Sequence, residues 1–184
     1  MMRRARPAFP GPVSGDDVAA MIRVDHAGEF GAVRIYAGQM AVFGARNSAA
    51  SDAIGHMAAQ EAVHLKRFET LLSERCVRPT ALEPIWHVAG FALGAATALM
   101  GERTAMACTE AVETVIDDHY GEQLERLGDS EPELTQTITQ FRAEEVAHHD
   151  VAIAHGAEKA IGHDLLTTAI KTGCKIAIAL STKI

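Results

Sequence analysis

Four stretches of this chain place their inward residues at helical spacing, and each reads as one face of an α-helix. The first starts after Ser14, an N-cap with Asp17 three residues on. Its stripe runs Ile22, His26, Glu29, Val33, Tyr36, Met40 and Phe43, in alternating steps of four and three, until Gly44 and Asn47 end it. The second carries Ile54, Ala58, Glu61, His64 or Leu65, Phe68 and Leu72, and stops before Pro79. The third carries Thr109, Glu113, Ile116, Tyr120 and Leu124, and runs to about Gly128. Ser130 with Glu133 forms a second capping box, with Pro132 in the first turn. From there Leu134, Ile138, Phe141, Glu145, His148 and Ala152 make the fourth stripe.

Two more apolar segments lie outside these four. Residues 85–101, IWHVAGFALGAATALMG, hold no formally charged side chain, yet the run is short and Gly-rich for a membrane span. A buried crossover helix and a membrane-facing or lipid-binding helix both fit it. In the C-terminal stretch, Leu165, Leu166, Ala169, Ile170, Ile176, Ala177 and Leu180 are apolar, Lys171 and Lys175 share a polar face, and Lys183 lies beyond. A basic amphipathic helix of this kind can lie in an anionic membrane interface. Together the two segments predict a peripheral membrane protein acting on a lipid-soluble molecule.

The expected architecture is all-α: a ferritin-like four-helix bundle built from a duplicated helix pair. Repeat one covers about 17–75, an apolar crossover about 80–101, repeat two about 103–160, and a C-terminal amphipathic helix about 163–184. Residues 1–13 read as a loose basic tail without the apolar core of a secretory signal, and 14–184 as one domain. Apolar residues make up 48% of the 184 but aromatics only 5%, so small and aliphatic side chains must dominate the packing, which suits helix-on-helix contacts. The net charge of −7 argues against a nucleic-acid partner. Cys76, Cys108 and Cys174 form an odd, scattered set without Cys-x-x-Cys spacing, which argues against a disulfide framework or a zinc knuckle.

The chemistry comes from a repeated spacing. Glu61-Ala62-Val63-His64 and Glu145-Val146-Ala147-His148 are both Glu-x-x-His, preceded 32 residues earlier by Glu29 and Glu113 respectively. The second set is the first displaced by 84 positions (29 to 113, 61 to 145). The only two tyrosines, Tyr36 and Tyr120, repeat the displacement, as do Gln39 and Gln123. Four carboxylates and two imidazoles on core stripes form the ligand set of a carboxylate-bridged di-iron site. Without metal, four ionised glutamates in one interior would repel and each would suffer desolvation; two divalent cations would cancel four negative charges. Glu61 and His64, three apart on a helix, can grip one ion, and Glu145 with His148 the other. Glu29 and Glu113 can bridge or complete either sphere. Mixed carboxylate and imidazole ligation suits iron or manganese better than zinc. Oxygen activation by two ferrous ions is the expected chemistry; iron storage or peroxide disposal is the alternative.

At the level of motifs, Arg23-Val24-Asp25-His26-Ala27-Gly28-Glu29, Gly31-Ala32 and Ile35-Tyr36-Ala37-Gly38-Gln39-Met40 resemble the first helix of the di-iron demethoxyubiquinone hydroxylases. Further matches are Gln60-Glu61 with His64-Leu65, Val77-Arg78-Pro79-Thr80, Gly90-Phe91-Ala92-Leu93-Gly94, Ala105-Met106-Ala107-Cys108-Thr109 with Ala111-Val112-Glu113, and Glu144-Glu145 with His148-His149-Asp150. The resemblance covers nearly everything from residue 17 onward. It implies a di-iron monooxygenase that hydroxylates the ring of demethoxyubiquinol, a polyprenylated quinol, late in ubiquinone biosynthesis. It implies two iron ions per chain, held by Glu29, Glu61, His64, Glu113, Glu145 and His148, with dioxygen as co-substrate. A bacterial-type member on the cytoplasmic face of the inner membrane is the expected setting. NADH-dependent reduction and a lipid-binding partner protein are further implications. No Gly-x-Gly-x-x-Gly fingerprint is present, so any NADH contact must be of another kind.

Other residues keep two readings. His119 and Tyr120 follow Glu113 by six and seven positions and are candidates for electron or proton transfer, or for a packed hydrogen-bonded pair. Tyr36 and Tyr120 also permit a radical-generating reading, against which the short chain speaks. Asp25, His26, His149 and Asp150 flank the ligands and are expected to orient them. His56, His87, His155 and His163 have no repeat partner and read as structural or solvated. A ferritin-like iron-binding ferroxidase would share all six ligands without needing the two apolar segments.

Overall fold

The structure, a computed structural model, describes residues 13–44 and 48–184. The basic N-terminal segment up to residue 12 and the proposed helix-ending Asn47 lie outside the described residues. Among the described residues there are six α-helices and no strand: α1 Gly15–Phe43, α2 Ala49–Glu74, α3 Glu83–Leu99, α4 Glu102–Leu127, α5 Pro132–Ala154 and α6 His163–Ser181. A 3-10 turn, Ala157–Lys159, precedes α6.

The helices begin where local chemistry supplies partners for their free N–H groups. Ser14 caps α1 reciprocally with Asp17: its Oγ accepts from the Asp17 amide at 3.2 Å, and the Asp17 carboxylate accepts from the Ser14 amide at 3.3 Å. Ser48 caps α2 by accepting from the Ser51 amide. The expected box at Ser130 does not form. Glu131 takes the N-cap position of α5 without a side-chain cap, and the Ser130 hydroxyl instead donates back to the Leu127 carbonyl at 2.6 Å, closing the end of α4. Pro132 opens α5 as expected, where its missing N–H costs nothing. Between α3 and α4 the chain turns at Gly101, whose φ of +117° is one that side chains rarely adopt.

The protein is an all-α, ferritin-like bundle of α1, α2, α4 and α5, with α3 lying along α1 and α6 along α4. Two apolar layers flank a polar band at mid-helix. At one end Val18, Met21, Phe68, Leu71, Leu134 and Ile138 meet; at the other Phe43, Ile54, Met57, Met106 and Ala152 meet. Each large aliphatic or aromatic side chain so buried contributes about 1.5–3 kcal/mol. The predicted stripes hold with small shifts of phase. Ala32 rather than Val33 is the fully buried residue on α1, and His64 rather than Leu65 is the inward one on α2.

The crossover segment is a helix, but not a buried one. Only Gly90, Gly94, Thr97 and Ala98 of α3 are buried, and Ile85, Val88, Phe91 and Leu99 face outward. Its approach to α1 is close because Gly94 presents no Cβ: one added there would collide with the Ile35 carbonyl oxygen. On α6, Ile170 is buried while Leu165, Ile176 and Leu180 are exposed. The start of α3 and the end of α6 are tied together. Trp86 Nε1 donates to Ser181 Oγ at 3.0 Å, and the Ala81 amide donates to the Ile184 carbonyl at 3.0 Å. No described helix is long and apolar enough to cross a membrane.

Candidate metal centre

The polar band between the two apolar layers consists of the six residues singled out by the 84-residue displacement. Glu29, Glu61, His64, Glu113, Glu145 and His148 are all buried, at 2% exposure or less. Each lies in the middle of its helix, where the backbone is satisfied and the side chain is the only free polar group. Two groups of ligand atoms form: Glu29, Glu61, His64 and Glu145 make one, and Glu61, Glu113, Glu145 and His148 the other. In each group the ligand atoms lie within 4.8 Å of one another. Glu61 and Glu145 belong to both, so the shared carboxylates come from the two Glu-x-x-His motifs, and Glu29 and Glu113 belong to one group each.

The imidazoles point their Nδ1 atoms inward. His64 Nδ1 lies 3.0 Å from Glu145 Oε1 and 3.6 Å from Glu29 Oε2. His148 Nδ1 lies 3.0 Å from Glu61 Oε1 and 3.3 Å from Glu145 Oε2. These approaches are close, yet neither Nδ1 has a hydrogen-bond partner of acceptable geometry. The same holds for both oxygens of Glu61 and Glu145, for Glu29 Oε2 and for Glu113 Oε2. Buried polar atoms left bare in this way cost about 1–3 kcal/mol each, more when charged. Lone pairs converging on common points, rather than along N–H directions, are what a cation would satisfy. The donor set fits two divalent ions in number, type and charge.

Electrostatics point the same way. Burial, then the charges of Glu145 and Glu29, raise Glu61 well above the usual carboxylate range. Burial and Glu145 do the same to Glu113. Burial would also raise Glu145, but the close approach of His148, His64 and Glu113 brings it down to about 2. Burial would lower His64, yet Glu145 and Glu29 carry it up to about 11. The cluster without ions therefore trims its negative charge by retaining protons, and cations would have to displace them.

Each tyrosine reaches across to the glutamate of the other half. The Tyr36 hydroxyl donates to Glu113 Oε1 at 2.7 Å, and the Tyr120 hydroxyl donates to Glu29 Oε1. Burial, then the glutamate partner, raises both phenols well above their ordinary value, so they stay protonated as donors. His119 does not touch the ligands. Its Nε2 lies 3.2 Å from Asp25 Oδ1, to which Gln123 Nε2 also donates at 2.7 Å. Burial raises the Asp25 carboxyl, with His119 opposing.

The expectation that Asp25, His26, His149 and Asp150 orient ligands is not met. His149 and Asp150 pair with each other at the surface, His26 stacks on Phe30, and Asp25 is engaged by His119 and Gln123. The groups that contact the imidazoles are instead Glu144, 2.8 Å from His64 Nε2, and Gln60, 3.1 Å from His148 Nε2. The signal was available: both precede a motif glutamate, and both obey the displacement of 84. His163, read as structural, anchors the start of α6 through Glu110 at 2.6 Å.

Beside the centre lies an apolar cavity of about 550 Å³ between α1, α3, α4 and α6. Its inner wall includes Gly28 and Ala32, on either side of Glu29, and Val112 and Ile116, on either side of Glu113. Trp86, Leu93 and Ile170 also line it.

Comparison with known proteins places these features in a family. Residues 16–181 match the family described as Ubiquinone biosynthesis protein COQ7. The chain is similar to the 3-demethoxyubiquinol 3-hydroxylase of Rhodospirillum rubrum, 53% identical over 178 residues, covering 97% of this chain and 82% of the relative. It is similar to the NADPH-dependent 3-demethoxyubiquinone 3-hydroxylase, mitochondrial, of Bos taurus, 49% identical over 176 residues, 94% of this chain and 80% of the relative. The 5-demethoxyubiquinone hydroxylase, mitochondrial, of Saccharomyces cerevisiae is 44% identical over 173 residues, 86% of this chain and 74% of the relative.

Proposed function

Since this chain belongs to the COQ7 family of ubiquinone biosynthesis proteins, we propose that it is a di-iron monooxygenase hydroxylating the ring of demethoxyubiquinol. The observation that carries the reading is the adjacency of two features: six buried ligand residues with unsatisfied polar atoms, and an apolar cavity lined by Gly28 and Ala32 and by Val112 and Ile116, the helix neighbours of Glu29 and Glu113. An iron-storing or iron-oxidising protein needs the first but not the second.

In this reading Glu29, Glu61, His64 and Glu145 would hold one iron ion, and Glu61, Glu113, Glu145 and His148 would hold the other. When bound, the ions supply the activation of dioxygen. The protein does the rest. Tyr36 and Tyr120 hold Glu113 and Glu29 in place by donating to one oxygen of each, leaving the other oxygen free to ligate. The cavity holds the polyprenyl tail against Trp86, Leu93 and Ile170 and sets the ring against the inner wall, excluding water. One oxygen atom enters the ring and the other leaves as water, so two electrons and two protons are also consumed. A nicotinamide dinucleotide is the source we assign, its electrons delivered through the ring in the cavity. His119, Asp25 and Gln123 link α4 to α1 one turn from Glu29 and are our candidates for proton movement, with Tyr120 the nearest hydroxyl.

We further propose that the outward apolar residues of α3 and α6, with Lys171 and Lys175, hold the protein at a membrane surface from which the substrate is drawn. The setting is peripheral, on the cytoplasmic face of a bacterial inner membrane, with a lipid-binding protein as partner. Two assays test the reading. Purified protein loaded with ferrous iron should convert a short-chain demethoxyubiquinol to the hydroxylated product by mass spectrometry; iron oxidation without product would instead favour a ferroxidase. Lys171→Glu with Lys175→Glu should weaken binding to anionic vesicles by about 1 kcal/mol per lysine, with iron content unchanged. Untouched vesicle binding would move the membrane contact to α3.

A further inference from the structure

The six inward ligands obey the 84-residue displacement without exception, but the groups behind them do not. Each ligand imidazole has an outer nitrogen, Nε2, turned away from the centre toward the opposite hairpin. Behind His64 on α2 stands Glu144 of α5, its Oε2 at 2.8 Å from Nε2. Behind His148 on α5 stands Gln60 of α2, its Oε1 at 3.1 Å. Positions 60 and 144 correspond under the displacement, so the same place in the two halves holds a neutral amide in one and a carboxylate in the other. Gln140 Nε2 donates to the second oxygen of Glu144 at 3.0 Å and fixes the carboxylate in this pose.

Both acceptors place the imidazole proton on Nε2 and leave the Nδ1 lone pair for an ion, as the inward geometry requires. They differ in how far they polarise the ring. A carboxylate draws the Nε2 proton more strongly than an amide oxygen, returns electron density to Nδ1, and adds a negative charge behind the ligand. The remaining ligands are balanced: each position has one unshared glutamate held by one tyrosine and shares Glu61 and Glu145. Among the described residues, no other charged side chain forms a hydrogen bond or ion pair with a ligand of only one position.

Resting on the di-metal reading above, we propose that the two metal positions are unequal, the one completed by His64 being the tighter and the first to fill, because Glu144 backs its imidazole where Gln60 backs that of His148. Glu144 and Gln60 are thus positioning residues that set an order of loading. Changes to a partner of a metal-bound histidine shift affinity by about 10–100-fold, and the partial exposure of Glu144 puts the expected effect near the lower end, about tenfold. Ordered loading also lets the first ion neutralise part of the cluster before the second arrives.

The test is a titration of the metal-free full chain with cobalt(II), followed by calorimetry and by NMR of the hyperfine-shifted imidazole N–H protons. Glu144→Gln should weaken the first binding step about tenfold, and Gln60→Glu should tighten the second by a similar factor. At one equivalent of cobalt, the shifted N–H resonance should move in Glu144→Gln, and in Gln60→Glu it should be joined by a second of similar intensity. The double exchange, Gln60→Glu with Glu144→Gln, should restore two unequal steps and transfer the first resonance to His148. The Gln60→Glu variant gains affinity, which a damaged fold cannot mimic. The inference is overturned if two ions bind and neither step responds, or if the one-equivalent resonance of the wild-type chain is unmoved by Glu144→Gln. If the wild-type chain takes up no cobalt, the metal-centre reading itself fails and this inference falls with it.

Discussion

In the first half of the molecule α3 lies so near α1 that Gly38, Gly90 and Gly94 leave no room for a Cβ; at the positions displaced by 84 stand Glu122, Cys174 and Ile178, and α6 meets α4 through side chains. The cavity occupies the space that this looser packing leaves, with Cys174 and Ile178 in its wall. Around the ligands the halves are alike, down to the exchanged tyrosine hydrogen bonds. Beyond them they diverge. The comparison teaches that the centre constrains only what touches it, and that the outer helices were free to become a tight strut in one half and a cavity wall in the other.

The sharpest way to break the comparison is to remove a ligand. Glu61→Ala or Glu145→Ala takes away a carboxylate common to both groups, so iron content should fall toward one ion or none per chain and hydroxylation should be lost. Glu29→Ala or Glu113→Ala should spare one ion. Elemental analysis with a product assay checks both, and full loading in the Glu61 and Glu145 variants would refute the shared role. The fold should persist in all four, because deleting a carboxylate also deletes repulsion.

A second test contrasts the struts. Gly94→Ala puts a Cβ into the Ile35 carbonyl and should cost about 3 kcal/mol in urea unfolding. Ile178→Val, at the matching position beside the cavity, should cost about 0.5 kcal/mol. Equal costs would mean that α3 and α6 are held alike.

The third concerns pH in the metal-free protein. Glu61 and Glu113 are raised above their unfolded values, so the stability they contribute is full below the ordinary carboxylate pKa and is lost as pH rises. His64, raised to about 11, has the same sign: its contribution is full below its unfolded value and declines above it. Glu145, lowered to about 2, opposes them only in acid. The Tm of the metal-free chain should therefore fall between about pH 5 and about pH 9, and two bound ions should flatten or reverse the slope. A rising metal-free Tm over that range would contradict the charge state described for the cluster.

The smallest difference between the halves is expected at the tyrosines. Tyr36→Phe and Tyr120→Phe each remove one hydrogen bond to a ligand glutamate and should each cost about 1 kcal/mol. A large disparity between them would show that the halves differ at the ligands as well as behind them.

Much of this was legible before any coordinates. The displacement of 84 identified the six residues, and helical spacing put them on inward faces because a heptad-like stripe and a buried band are the same geometric fact. What failed depended on contacts between distant segments. Ser130 has the right residue type for a cap, but the end of α4 claims its hydroxyl, a competition that local sequence does not express. Asp25, His26, His149 and Asp150 flank ligands in sequence, whereas the groups that touch the imidazoles come from the opposite hairpin, as Glu144 and Gln60 do. The apolar run at 85–101 left a buried and a surface helix equally open, because glycines at 90 and 94 reveal a close approach only once the partner helix is known.

The exchanged tyrosines make the two halves mutually dependent. Each half supplies the hydroxyl that steadies the other half's unshared glutamate, and neither half alone holds a complete ligand set. A single hairpin could build this centre only by meeting a second copy of itself. Carrying both hairpins on one chain makes their meeting intramolecular and fixes them at one-to-one stoichiometry. It also leaves them free to differ, as Gln60 and Glu144 do.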